Sequence, residues 1–153
     1  MKIRIVAVGK VRERYIAGAI ADFRERLRHY YRYDEVEVAA AHGADPIRAV
    51  HEESARIAGT FEPGDVVWLL ERTGTEFSSE ELARRINTLA DAGTRRLVLV
   101  VAGPYGAGED LQRRADFCWS LSQLTFLHEW ARALVLEQLY RAAKIARNES
   151  YHH

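Results

Sequence analysis

Two short apolar runs constrain the fold most: Asp65–Glu71 (Asp-Val-Val-Trp-Leu-Leu-Glu) and Arg96–Ala102 (Arg-Leu-Val-Leu-Val-Val-Ala). Each is about one strand long, and each is apolar at successive rather than alternate positions. A strand that hides every side chain needs cover on both faces, which a parallel sheet flanked by helices supplies. The rest of the chain fits that demand. Lys2–Val8, Glu35–Ala39 and Phe117–Leu121 read as three more strands. Between them lie helical spacings. Arg14–Tyr31 places Tyr15, Ile16, Ile20, Phe23 and Leu27 on one side, and Asp45–Ala58 carries Pro46 in its first turn. Ser78 and Glu81 are spaced as a capping box, and a terminal helix runs from about Leu127 to Ala146. Alternation of this kind predicts an α/β fold, a mostly parallel sheet with helices on both faces. With 153 residues and no linker or repeat, it predicts one domain over residues 1–153.

Several classes drop out. No apolar run approaches a membrane span, and Met1–Gly9 enters a strand pattern without a signal-peptide layout, so the expectation is a cytoplasmic protein with no membrane partner. A single cysteine, Cys118, leaves no internal disulfide and no multi-cysteine zinc site; no metal is expected. The neutral net charge hides an asymmetry. Residues 1–32 hold nine Lys/Arg against three acids, whereas residues 33–80 hold three Arg against eleven acids. Nineteen of the 22 basic residues are Arg, the type that grips phosphate in a fork. That pattern reads either as a basic face for a polyanion or as a solvated helix surface.

Ligands of parallel α/β sheets bind beyond the carboxyl ends of the strands. The loops to watch are therefore Arg72–Phe77, Gly103–Glu109 and Ser122–His128. Ala102-Gly-Pro-Tyr-Gly-Ala-Gly108 is glycine-rich but lacks the Lys-Ser/Thr of a nucleoside-triphosphate loop and the layout of a dinucleotide fingerprint. A cofactor loop and a plain tight turn both fit it. Ser120, Ser122 and Thr125 fit either a cap on the last helix or a polar ligand. His128 reads as a structural histidine or as half of a Cys–His pair with Cys118, for which no local context speaks.

Taken together, the motifs resemble one family. Ile5-Val-Ala-Val-Gly-Lys10 is similar to its opening. Leu70-Glu-Arg-Thr-Gly74 with Phe77-Ser-Ser-Glu80 is similar to its L-[DE]-x-x-G…S-S-E segment. Ala102-Gly-Pro-Tyr-Gly106 resembles its G-G-x-x-G loop with one change, and Leu121-Ser-Gln-Leu-Thr-Phe-Leu-His128 its L-S-x-[LM]-T-[FL]-P-H with one change. Glu137-Gln-Leu-Tyr-Arg-Ala142 and the Tyr151-His152 ending resemble its last helix and terminus. The family is the ribosomal large subunit methyltransferase H family, of the SPOUT superfamily of knotted methyltransferases.

The resemblance implies a C-terminal trefoil knot, a homodimer, and S-adenosylmethionine as cofactor. The implied reaction is methylation of N3 of a pseudouridine in the helix sixty-nine loop of 23S rRNA, on the assembled ribosome. It implies cofactor contacts at Leu70, Ala102, Gly103, Gly106, Leu121, Ser122, Gln123, Leu124, Thr125 and Phe126. It implies catalytic roles for Arg141, Tyr151 and His152. The departures are Ala102 for glycine and Leu127 for proline; a methyl at Ala102 is tolerated if its backbone is ordinary. The Trp130, Leu134 and Leu139 stripe of the last helix is the expected dimer interface. Two readings from other classes stand beside this one. A ribosome-binding assembly factor of the same fold would bind the cofactor without transferring methyl groups, and a flavodoxin-like enzyme would carry flavin absorbance.

Overall fold

The computed structural model describes residues 1–43 and 45–150. Five strands form one sheet in the order β2-β1-β4-β3-β5: β1 (Lys2–Val8), β2 (Arg32–Val38), β3 (Asp65–Thr75), β4 (Arg96–Val101) and β5 (Phe117–Trp119). Every pairing is parallel. Five helices connect them: α1 (Arg14–Leu27), α2 (Pro46–Ala58), α3 (Ser79–Asp91), α4 (Glu109–Arg114) and α5 (His128–Ala146).

The apolar runs are buried on both faces, as their composition requires. Leu97 and Leu99 of β4 pack with Ile3 and Ile5 against α1, α3 and α5. Val98 and Val100 pack with Val6 and Val67 against Ile57 of α2 and Leu111 of α4. Helix starts follow local chemistry. The Asp45 carboxylate accepts from the Ile47 N–H, with Pro46 in the first turn, and Ser78 Oγ accepts from the Glu81 N–H. Among the described residues the Ser78 N–H makes no return bond to Glu81, whose carboxylate accepts from Arg85.

Several features differ from the sequence reading. Helix α1 ends at Leu27 rather than Tyr31, and β2 begins at Arg32 because it pairs with β1 from Lys2 onward. The start of β2 shows no apolar pattern, since ion pairs anchor it: Asp34 holds Arg4 and Lys2, and Glu35 holds Arg24 and Arg132. Those pairs, with Arg26–Asp22 and Arg28–Glu25, neutralise much of the basic N-terminal segment. Tyr15 lies off the apolar face of α1, 61% exposed, against Trp130. Leu139 is wholly in the core, so it cannot serve an interface. Helix α4 was not anticipated; its one buried anchor, Leu111, gives no period to read.

Candidate active site

The site lies where β3, β4 and β5 end side by side. Leu70, Val101 and Trp119, near their carboxyl ends, form the base of a cleft of about 200 Å³. Glu71 and Arg72 bound it on one side, Ala102, Gly103, Pro104 and Gly106 on another, and Leu121, Ser122, Leu124, Thr125 and Phe126 on a third. His128 and Ala131 close it from the start of α5.

Local structure explains each wall. The β3–β5 register jumps, with both Leu70 and Thr75 opposite Trp119, so residues 71–74 bulge out of the sheet and raise the Glu71–Arg72 wall. The bulge is tied down by Ser120, whose N–H donates to the Thr75 carbonyl and whose hydroxyl donates to the Arg72 carbonyl at 3.0 Å. Glycine is required at position 74 because a Cβ there would sit 2.5 Å from the Cys118 carbonyl oxygen. Trp119 is held from beneath by Phe77, stacked at 5.3 Å between ring centres.

The Gly103–Gly106 turn closes with a Gly106 N–H to Gly103 carbonyl bond of 3.0 Å, and Gly106 has φ +82°, a conformation that favours glycine. Gly103 has a different reason to be glycine. A Cβ on it would overlap the Glu53 carboxylate, which packs beneath the loop from α2. Among the described residues, Asn148 is the only non-glycine with positive φ, so Ala102 keeps an ordinary backbone and its methyl is accommodated. Leu127 sits at φ −57°, within the range a proline ring imposes, so the leucine preserves the turn that proline would enforce.

Nine of the ten expected cofactor residues line this cleft: Leu70, Ala102, Gly103, Gly106, Leu121, Ser122, Leu124, Thr125 and Phe126. Gln123 is exposed and off the wall. Arg141 lies ten residues past Ala131 on α5, roughly 15 Å along the axis at about 1.5 Å per residue, and is ion-paired to Glu137 at 2.9 Å. It is not part of the cleft of its own chain. Tyr151 and His152 lie outside the described residues.

Arg72 and Pro104 fall within the expected ligand loops, though neither was singled out, while Glu71, Val101, Trp119 and Ala131 line the cleft from outside those loops. Strand-end position would have found Trp119; the bulge that presents Arg72 has no sequence signal. Neither Ser120, Ser122 nor Thr125 caps α5, whose N-cap is Leu127 with no side-chain bond. Ser122 Oγ instead accepts from the Leu124 N–H at 3.1 Å, shaping the loop. Cys118 and His128 do not pair. Cys118 packs on the α2 side of the sheet while His128 opens α5 on the other, and burial pushes the thiol pKa up, with Glu71 adding to it.

The family model "Predicted SPOUT methyltransferase" matches residues 1–152. The chain is 39% identical over 153 residues to "Ribosomal RNA large subunit methyltransferase H" of Pelobacter propionicus, covering 100% of both chains. It is 35% identical over 158 residues to the protein of that name from Acetivibrio thermocellus, covering 99% of each. Its fold is similar to the crystal structure of a probable methyltransferase from Bordetella pertussis, with a TM-score of 0.57 at 13% identity over 93% of this chain and 96% of that one. The fold thus belongs to a known architecture, and the chain is a member of the SPOUT methyltransferase family, in its ribosomal RNA large subunit methyltransferase H group.

Proposed function

We propose that the protein is a homodimeric, S-adenosylmethionine-dependent enzyme that methylates N3 of a pseudouridine in the helix sixty-nine loop of 23S rRNA. It acts in the cytoplasm on the assembled ribosome. The observation that carries this reading is the convergence of three sequence-distant motifs on one cleft, at residues 70–72, 102–106 and 121–126, in a chain that the family model matches over residues 1–152.

The cleft suits the cofactor. Glycines bring backbone close to it, Leu70, Leu121 and Trp119 offer apolar faces to an adenine, and Ser122 and Thr125 supply polar contacts. At about 200 Å³ it falls below the roughly 300–1,000 Å³ of sites enclosing drug-sized ligands. A ligand of that class would extend to the open mouth, where an RNA base has access. When bound, the cofactor supplies an activated methyl group, so the protein's work is positioning and proton handling. The target imide nitrogen must lose its proton. His152 accepts it, Arg141 stabilises the resulting anion, and Tyr151 stacks on the base.

Arg141 is remote from its own cleft, so these groups act in the cleft of the partner subunit. An exposed apolar rim supports the dimer: Leu124, Phe126 and Leu127 in the loop, with Tyr15 and Trp130 beside them. Of the Trp130, Leu134 and Leu139 stripe expected from sequence, the rim keeps Trp130, while Leu139 is in the core. Lys10, Arg12 and Arg14, exposed beyond the end of β1 and without ion pairs among the described residues, are suited to RNA phosphate. The proposal includes the trefoil knot of the family. Threaded chains break the general rule of fold topology.

The test is transfer of tritium from methyl-labelled S-adenosylmethionine to 70S ribosomes, free subunits and naked rRNA from a strain lacking the enzyme. Label is expected at one pseudouridine, in ribosomes above the other substrates. Label at another nucleoside, or none, contradicts the proposal.

A further inference from the structure

Glu53 is 4% exposed, and its two carboxylate oxygens are treated unequally. Oε1 accepts the Ala41 N–H at 2.9 Å, while Oε2 is buried with no hydrogen-bond partner among the described residues. A buried, half-satisfied carboxylate is costly, and an apolar side chain would serve packing better. Its location supplies the reason to keep it. Oε2 occupies the space a Cβ of Gly103 would need, next to Val8 at the end of β1. The following residue, Ser54, is also buried, and its Oγ accepts the Gly108 N–H at 2.9 Å. A Cβ on Gly108 would come within 3.1 Å of that oxygen. Two consecutive residues of α2 thus hold both ends of the 103–108 loop from the side opposite the cleft.

We propose that Glu53 and Ser54 are positioning residues, a clamp in which the Glu53 carboxylate fills the space left by Gly103 and Ser54 fixes Gly108. Together they set the loop that walls the cleft. This inference rests on the reading of the cleft as the S-adenosylmethionine site. Nothing in it requires Glu53 to touch the cofactor. The side chain acts through the backbone of Gly103, and Gly103 is glycine because of the protein beneath it.

The clamp predicts reciprocal rescue. Gly103→Ala forces a methyl into the carboxylate and weakens S-adenosylmethionine binding by about tenfold or more, or ~1.4 kcal/mol. Glu53→Ala leaves the loop unsupported and also weakens binding. The double variant Glu53→Ala/Gly103→Ala binds more tightly than Gly103→Ala alone, because the new methyl occupies the vacated space. Glu53→Gln, which keeps the shape and the Ala41 acceptor, recovers most of what Glu53→Ala loses. The measurement is calorimetric titration with S-adenosylmethionine, with thermal unfolding of each ligand-free variant alongside. If Gly103→Ala does not fold, Ser54→Ala tests the other end and is expected to weaken binding while unfolding near the wild-type temperature. Wild-type affinity in Gly103→Ala, no gain in the double variant, or unchanged affinity in Ser54→Ala overturns the clamp. A wild-type protein that binds no S-adenosylmethionine overturns the cofactor reading itself, and the clamp's role with it.

Discussion

Arg132 of α5 and Glu35 of β2 are ion-paired, with side-chain exposures of 4% and 10%. Arg132 also reaches Glu37 at 2.8 Å, and Arg24 and the Tyr33 hydroxyl reach Glu35 from their own sides. Burial works to raise the Glu35 pKa, but the two guanidiniums and the Tyr33 hydroxyl outweigh it and hold the group at about 2. Asp34, bonded to Arg4 and then to Lys2, is likewise held at about 2. A carboxylate with a depressed folded-state pKa contributes stability that is present above its ordinary pKa and is lost as pH falls towards the folded value. Stability is therefore expected to decline between about pH 5 and pH 2, with Glu35 responsible for on the order of 2–3 kcal/mol. Urea unfolding across that range checks it. Glu35→Gln should lower stability at pH 7 and flatten the acid limb, and an unchanged limb would refute the assignment.

The rim formed by Tyr15, Phe126, Leu127 and Trp130 predicts the oligomer. Trp130→Glu places a charge where an apolar partner surface is required, and a buried unpaired charge is costly. The variant is expected to sediment as a monomer at micromolar concentration, with wild-type circular dichroism and no methyl transfer. A dimer that survives this change would locate the interface elsewhere.

Leu127 has a proline-like φ, and its N–H makes no hydrogen bond among the described residues. Leu127→Pro should therefore stabilise the protein by about 0.4–1 kcal/mol through the unfolded chain. The expected rise in melting temperature is roughly 1–4 °C for a chain of this size. The same change stiffens the 121–127 loop and should tighten cofactor binding. A fall in melting temperature would show that the loop needs a conformation proline forbids.

Deleting Tyr151–His153 should leave cofactor affinity and folding nearly unchanged, because the cleft is built from residues 70–131. Methyl transfer to ribosomes should fall by about 10²–10⁴-fold, the usual contribution of one placed acid–base group. His152→Ala should reproduce part of that loss. Full-rate transfer by the truncated chain would return the end of the chain to the ordinary status of a terminus.

The layered sheet was legible because burial on both faces leaves a mark in composition: Val67–Leu69 and Leu97–Val101 carry almost no polar side chain. β2 was shifted because its half-buried start is stitched by charges, and Asp34 and Glu35 look like solvent residues until Arg4 and Arg132 arrive from distant segments. The cleft loops were legible through glycine and small residues. Their reasons were not, since Gly103 answers to Glu53, fifty positions away, and Gly74 to the backbone of Cys118. Tyr15 and Leu139 carried the opposite lesson: helical spacing alone placed Tyr15 on the core side, where it is exposed, and Leu139 on an outer stripe, where it is buried.

The central claim is that the cleft of one subunit works with Arg141 and the C-terminal residues of the other. Its most direct test is the rate of methyl transfer to ribosomes by mixed dimers of two inactive variants. Gly106→Val forces a β-branched residue to φ +82° and disables the cleft, while Arg141→Ala disables the contributed group. Each alone should be nearly inactive. Mixed and re-equilibrated, they should recover activity, because a mixed dimer holds one site with an intact cleft and an intact Arg141. A mixture no more active than its two components would contradict the account.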